Sequence, residues 1–380
     1  MLIAEPLKPL ARRLYDLAVL GEGIVGCFAA LRAAELGADV ILIDERGVFG
    51  GASARAAGVF TVQLDTPRDA MLVAKSIELV KRYSKNSWIE TGFLQIGREG
   101  ALRESLEALT KCEIRYDVLD HREIMEKWPE FILDSSLKGI YTEQDLSVEP
   151  TILGRDLREA LIGRGVRIYE GVGARRLLRE GDELRSVKLS DSSTVAANYF
   201  VLAMGSWNRE LLNSCNIELE TFLLTCFAYR LDIGKSLNIP SFSDEYLHTY
   251  WRPWQNTLVG GRYDAEFTDK PDLSSAPPPL KSLKMSLKLL LKRLRTETEP
   301  RLVEHMRGPC SFTSDGLPVV GRIPGLDNAV IVDGLGGYGL MRGPALGYLA
   351  TEALLRGPKT LDGFTDLSPS RVLKKHTYTR

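Results

Sequence analysis

The chain is short of the residues that build disulfide frameworks and metal centres. It has five cysteines in 380 residues (Cys27, Cys112, Cys215, Cys226, Cys310), none in Cys-x-x-Cys spacing, and four histidines. That scatter argues against a disulfide scaffold and against a zinc or iron–sulfur site, so no metal is expected. It fits a reducing cytoplasm. Net charge is almost nil: 49 Lys and Arg against 50 Asp and Glu leave −1, with a pI of about 6.5. Neither nucleic acid nor an acidic partner is the natural target of such a chain. No apolar run reaches the length of a membrane span. Arg12-Arg13 and the apolar residues after them superficially resemble a secretory leader. That run is short and flows straight into a glycine turn, so it reads as a first strand, with residues 1–15 as a loose lead-in.

What the chain does have is ordinary globular composition, 44% hydrophobic and 26% charged, over a length that suits two lobes with a substantial core. Its organising stretch is 16–46, DLAVLGEGIVGCFAALRAAELGADVILIDER. An apolar run, Leu17 to Leu20, meets the turn Gly21-Glu22-Gly23-Ile24-Val25-Gly26. A helical segment then runs from Cys27 to Leu36, and a second apolar run, Val40 to Ile43, ends in Asp44. Strand, turn, helix and strand, closed by an acid, form a dinucleotide-binding pattern. Gly21 permits the tight turn, Gly23 lets the backbone approach a pyrophosphate, and Gly26 lets the helix pack on the strand. The helix N-terminus offers free N–H groups to phosphates, and Asp44 stands where a carboxylate can accept from ribose hydroxyls.

Residues 47–59, GVFGGASARAAGV, carry almost no side-chain bulk. A solvated loop would be more polar, so this stretch suits close backbone approach to a ligand. Helices are expected over 69–84, 101–110, 151–164 and after Asp120, an N-cap candidate. Strands are expected over 91–97, 167–169, 185–190 and 199–203, the last running into Gly205-Ser206. From Phe222 to Arg262 the texture becomes alternating β-segments. A strand from Tyr246 to Trp251 would put Tyr246, His248, Tyr250 and Arg252 on one face, a set suited to a polar pocket. Residues 280–295, LKSLKMSLKLLLKRLR, form a basic amphipathic helix with the leucine stripe Leu280, Leu283, Leu287, Leu290 and Leu294. Such a helix can lie weakly on a membrane, at its inner face, or pack on its own sheet; the second is commoner. The chain closes with DGLPVVG and then DGLGGYGLMRGP, a strand running into a glycine-dense turn and a helix from about Pro344.

Taken together, GEGIVG with Asp44, GGASARAAGV, VLAMGSW, DGLPVVG and DGLGGYGLMRGP resemble the D-amino-acid oxidase-like FAD-dependent oxidoreductases. That family includes glycine, sarcosine and proline oxidases and dehydrogenases. The resemblance spans nearly the whole chain. It implies an α/β architecture: a Rossmann-type FAD-binding domain with an inserted α+β substrate domain on a mainly antiparallel sheet. The FAD domain would comprise 1–85, 145–212 and 305–380, and the substrate domain 86–144 and 213–304. Gly21, Gly23 and Gly26 would hold the pyrophosphate, and Asp44, with Glu45 beside it, the adenosine ribose. Ser53, Arg55, Ala57 and Gly58 would line the pyrophosphate and isoalloxazine side, Ala174 the adenine, and Gly205 the second cofactor turn. Gly336, Gly337, Tyr338, Gly339, Leu340 and Met341 would face the pyrimidine end of the flavin.

Two departures bear on chemistry. Monomeric sarcosine oxidases carry a flavin-linked cysteine where this chain has Gly308, and Cys310 is out of register, so FAD is expected to be non-covalent. Those oxidases also carry a lysine where this chain has Met341, with Arg342 one residue on. The expected reaction is oxidation of a small, N-substituted or D-amino acid by hydride transfer from Cα, giving an imine that hydrolyses. The acceptor would be oxygen or an electron carrier such as a quinone. Arg342, Arg252 and Arg307 are the candidate carboxylate ligands, and Tyr250 and Tyr338 the orienting groups. Oxidation of a 2-hydroxy acid or glycerol phosphate would instead need a histidine, His248 or His305. A flavin-binding subunit of a dye-linked complex is a third reading. Association with further copies of the chain is also an expectation.

Overall fold

The computed structural model describes residues 13–375. Two sheets dominate. The first has eight strands, and its parallel centre is the strand Leu14–Leu20 between Val40–Asp44 and Thr194–Leu202. Arg167–Glu170 extends it beyond Val40–Asp44. Thr194–Leu202 is long enough to take two partners on its outer edge. Its first half pairs antiparallel with Glu183–Leu189, its second half parallel with Leu326–Asp333. Alternation along the central strand divides the core. Leu17 and Val19 pack toward the helix Ile24–Glu35, while Ala18 and Leu20 pack on the opposite face. Because strand order reverses at Leu14–Leu20, the carboxyl ends of the parallel strands open into a crevice.

The second sheet has nine mainly antiparallel strands, with one parallel pair, Phe93–Gly97 beside Ser241–Asp244. Its backbone is the strand Phe222–Asp232, which pairs with Arg301–Phe312 from Phe222↔Phe312 to Asp232↔Arg301. The expected domain boundary at 305 therefore falls inside a strand of this sheet, and the C-terminal piece of the first sheet starts at Val319. A small sheet of Val59–Phe60, Leu146–Val148 and Trp88–Glu90 lies between the two.

The expected helices form with small shifts: Pro67–Tyr83 capped by Thr66, Glu99–Lys111, and Pro150–Ile162. Asp120 caps His121–Lys127 in a full capping box. The basic helix is shorter than its pattern, Leu280–Leu290, and lays Leu283, Leu287 and Leu290 on the core of the second sheet. One strand reading fails. Thr249–Trp254 is the strand, and residues 245–248 form a turn in which His248 has φ +53°. The Asp244 carboxylate accepts from Leu247 N at 2.7 Å and pairs with buried Arg293, which ends the preceding strand there. Tyr246 consequently stands out in solvent under Arg98 rather than beside Tyr250. Among the described residues no helix is long and apolar enough to cross a membrane.

Candidate active site

A cavity of about 740 Å³ runs from the crevice of the first sheet to the inner face of the second. Its first end lies at the Gly21–Gly26 turn. Gly21 has φ +106°, and a Cβ there would stand 2.5 Å from Ala203 O, so no other residue fits this turn without displacing the strand beside it. Gly26 does not line the cavity; a Cβ on it would meet Gly21 O at 1.8 Å, which is the close helix packing expected of it. Ser53 Oγ accepts from Ile24 N at 3.0 Å and so fixes the small-residue loop against the helix N-terminus. Arg55 holds that loop in turn, donating to the carbonyls of Gly50 (3.1 Å) and Gly51 (2.6 Å).

Asp44 is more engaged than its pattern suggests. It accepts from the backbone amides of Glu22 (2.8 Å), Arg46 (2.7 Å) and Gly47 (3.1 Å), so it ties two loops together at the cavity wall. Glu45, paired with Arg175, lines the same end beside Ala174. Behind them sits Glu22, a residue with no assigned role in the sequence reading. Its side chain is fully buried; burial, and then the neighbouring Glu170 carboxylate, push its carboxyl up to about 9.

Farther along, the wall is made by Ala57, Gly58, Gly205 and the turn from Gly336 through Tyr338, Gly339, Leu340 and Met341. The 18-residue helix Gly339–Arg356 starts here, so its positive dipole end and free N–H groups face the cavity. Gly308 and Cys310 also line this part.

The far end belongs to the second sheet. Tyr250 and Tyr263 stack at 5.2 Å, with Tyr338 on the other wall. About half of the surface of Tyr263 is free where it lines the cavity, and burial raises the phenols of all three tyrosines. They are neutral donors and acceptors at ordinary pH, not bases.

The structure places none of the three candidate arginines in this cavity. Arg252 is wholly buried behind the Ala57–Gly58 wall; it donates to Ala57 O and pairs with Glu149 at 3.1 Å. Desolvation brings its guanidinium down to about 10. Arg342 pairs with buried Asp69 at 3.0 Å and lies against the Tyr338 ring, and Arg307 pairs with Asp272 at 2.7 Å. The arginine that does line the substrate end is Arg262, at the end of the strand Thr257–Arg262. Its buried Nε has no hydrogen-bond partner among the described residues, and its Nη1 lies 3.6 Å from Asp264. The two-residue turn Gln255-Asn256 pairs Arg262 with Thr249, next to Tyr250, a placement the sequence reading did not use. His248 also lines the cavity, whereas His305 lies outside it against Ser275 O.

A family model described as FAD dependent oxidoreductase (DAO) matches residues 16–353. The chain belongs to that FAD-dependent oxidoreductase family. It is 21% identical to the mouse mitochondrial pyruvate dehydrogenase phosphatase regulatory subunit over 94% of its own length, but spans only 44% of that relative. It is 23% identical to glycine oxidase of Bacillus licheniformis over 91% of its own length and 95% of the relative. In fold it is similar to the crystal structure of L-proline dehydrogenase from P. horikoshii, with TM-score 0.86, 20% identity, and coverage of 94% and 97% of the two chains.

The family's cofactor is FAD, and the residues present fit it. Every expected cofactor residue except Gly26 lines one continuous cavity, whose wall includes the N-termini of two different helices, Ile24–Glu35 and Gly339–Arg356. Among the described residues no group of three or more His, Cys, Asp and Glu is arranged to hold a metal.

Proposed function

We propose that this family member oxidises an amino acid at the Cα–N bond, using FAD held non-covalently. The observation that carries the reading is Arg262, a guanidinium with an unspent buried Nε beside Tyr250 at the end of the cavity away from the dinucleotide turn. A planar donor in that place suits a substrate carboxylate. Glycine oxidase and L-proline dehydrogenase, the similar proteins, are both named for amino-acid substrates.

In this reading the Gly21–Gly26 turn and Ser53 hold the pyrophosphate, Asp44 and Glu45 the ribose, and Ala174 the adenine side. The N-terminus of the helix Gly339–Arg356 faces the pyrimidine end. FAD supplies the two-electron acceptor for the Cα hydride. The chain's own work is positioning. Arg262 anchors the carboxylate, and the neutral phenols of Tyr250 and Tyr338 orient the amine by hydrogen bonds. The enclosed walls strip water from the ammonium and so favour its loss of a proton before hydride transfer. No side-chain base is required, and the product imine hydrolyses once it meets water.

The test is direct. Purified protein should be yellow and release free FAD on acid treatment. Under anaerobic conditions, glycine, sarcosine, proline or one enantiomer of a common amino acid should bleach the flavin. Repeating the turnover with oxygen, a dye and a quinone identifies the acceptor. A specific observation keeps a second reading alive: His248 lines the cavity and could accept a hydroxyl proton. Bleaching by a 2-hydroxy acid or glycerol phosphate and by no amine would decide for it. A yellow protein that no substrate bleaches would favour a flavin-binding subunit.

A further inference from the structure

The substrate end of the cavity carries more negative charge than an α-amino acid needs. Asp65, Glu245 and Asp264 line it, against one guanidinium, Arg262, and the imidazole of His248. Arg262 already faces Asp264. Glu245 and Asp65 have no ion pair among the described residues, and both line the same cavity as Tyr263 and Tyr338. Glu245 is also held in position: its Oε1 accepts from Ser243 Oγ at 2.9 Å and from Gln95 Nε2 at 3.2 Å. Gln95 is 93% buried, lines the cavity, and leaves its own Oε1 without a hydrogen-bond partner. Two carboxylates without a cation, one of them anchored, thus stand with a buried amide oxygen that has no donor among the described residues. A buried acceptor left unpaired carries an uncompensated desolvation cost, which a ligand that donates there relieves.

We infer that Glu245, Asp65 and Gln95 form a recognition site for a second cationic group on the substrate, so that the preferred substrates are basic amino acids. The inference rests on the amino-acid reading above and narrows it. The reacting amine itself is a poor fit for the pair, because two carboxylates beside it would hold it protonated and oppose hydride loss. An amine or guanidinium several bonds farther along, with the carboxylate on Arg262, satisfies all three acceptors without that penalty.

Two arms test this on the holoprotein. In the first, calorimetry and the flavin absorbance change measure binding of 6-aminohexanoate against hexanoate. The cationic ligand should bind at least about tenfold tighter, the value of one charged hydrogen bond. E245Q should collapse that ratio toward one. D65N serves as a second variant should E245Q fail to fold, and should also reduce the ratio. In the second arm, kcat/KM is compared for lysine, ornithine and arginine against their neutral isosteres norleucine, norvaline and citrulline, in both enantiomers. A cationic preference of about tenfold or more is expected. Equal binding of the two hexanoates would overturn the inference. So would equal turnover of cationic and neutral amino acids, and that result would leave amino-acid oxidation standing. Tighter binding of 6-aminohexanoate, lost in E245Q, in a protein that oxidises no amino acid would uphold the cation site and refute the amino-acid reading.

Discussion

At the scale of single residues, the arginines separate fold from site. Arg252 and Arg262 lie on neighbouring strands of one hairpin, yet the first is wholly buried against Glu149 and the second lines the cavity with its Nε unpaired. Arg252→Ala leaves Glu149 with Arg230 as its one ion-pair partner among the described residues and should cost about 3–5 kcal/mol of stability, seen as a lowered melting temperature. Arg262→Ala should leave the melting temperature close to that of the parent and raise KM about 10- to 100-fold, the worth of a charge-assisted hydrogen bond or two. Glu22 gives a pH signature. Its carboxyl is held up to about 9 in the fold against an ordinary value of 4.5. Between those values the folded chain binds a proton that the unfolded chain has lost. The stability it contributes is complete below about 4.5 and lost as pH rises to about 9, at up to about 1.4 kcal/mol per pH unit. Buried Asp145, raised to about 7, acts with the same sign but is spent by that pH. Between pH 7 and 9, therefore, melting curves of the parent protein should fall more steeply than those of Glu22→Gln.

At the scale of elements, local chemistry was legible and pairing was not. The glycine turn, the small-residue loop and the C-terminal turn were readable because each is a run of residues with little side-chain bulk within a few positions, several of them at positive φ. The Asp120 cap was readable because a capping box is complete within four residues. Period two misled at Tyr246 because the turn there is set by Asp244, whose partner Arg293 lies 49 residues away. Arg262 escaped notice for the same reason: its position depends on which strand it pairs with. The basic helix Leu280–Leu290 shows the opposite case, a leucine stripe spent on its own sheet. Leu290→Ala, at a fully buried position, should cost about 2–5 kcal/mol by chemical denaturation. Exchanging Lys284 and Lys288, on the outer side, for Glu should change stability by less than about 0.5 kcal/mol.

At the scale of the whole molecule, the cavity draws its walls from both sheets, so a ligand there reports on the union of the two. FAD at 100 times its dissociation constant should stabilise the fold by about 2.7 kcal/mol, measured as a rise in melting temperature with added FAD. An unchanged melting temperature in protein that still takes up FAD would mean that the cofactor does not bind the folded state in preference to the unfolded chain. The family motifs made the two-lobe plan legible. The position of the junction near 305 was not, because Arg301–Phe312 continues in register with Phe222–Asp232, and the break comes only at the Gly316-Leu317-Pro318 turn before Val319.

The wall from Gly336 to Met341 also has a consequence in time. A chain emerging from the ribosome displays the Gly21–Gly26 turn early, but the strand beside Gly21 arrives only with Ala203, and the facing helix N-terminus only after residue 339. Until then the pocket lacks a side. Cofactor loading must therefore follow nearly complete synthesis, and a nascent chain halted at residue 330 should exit without flavin however well its first βαβ unit has formed.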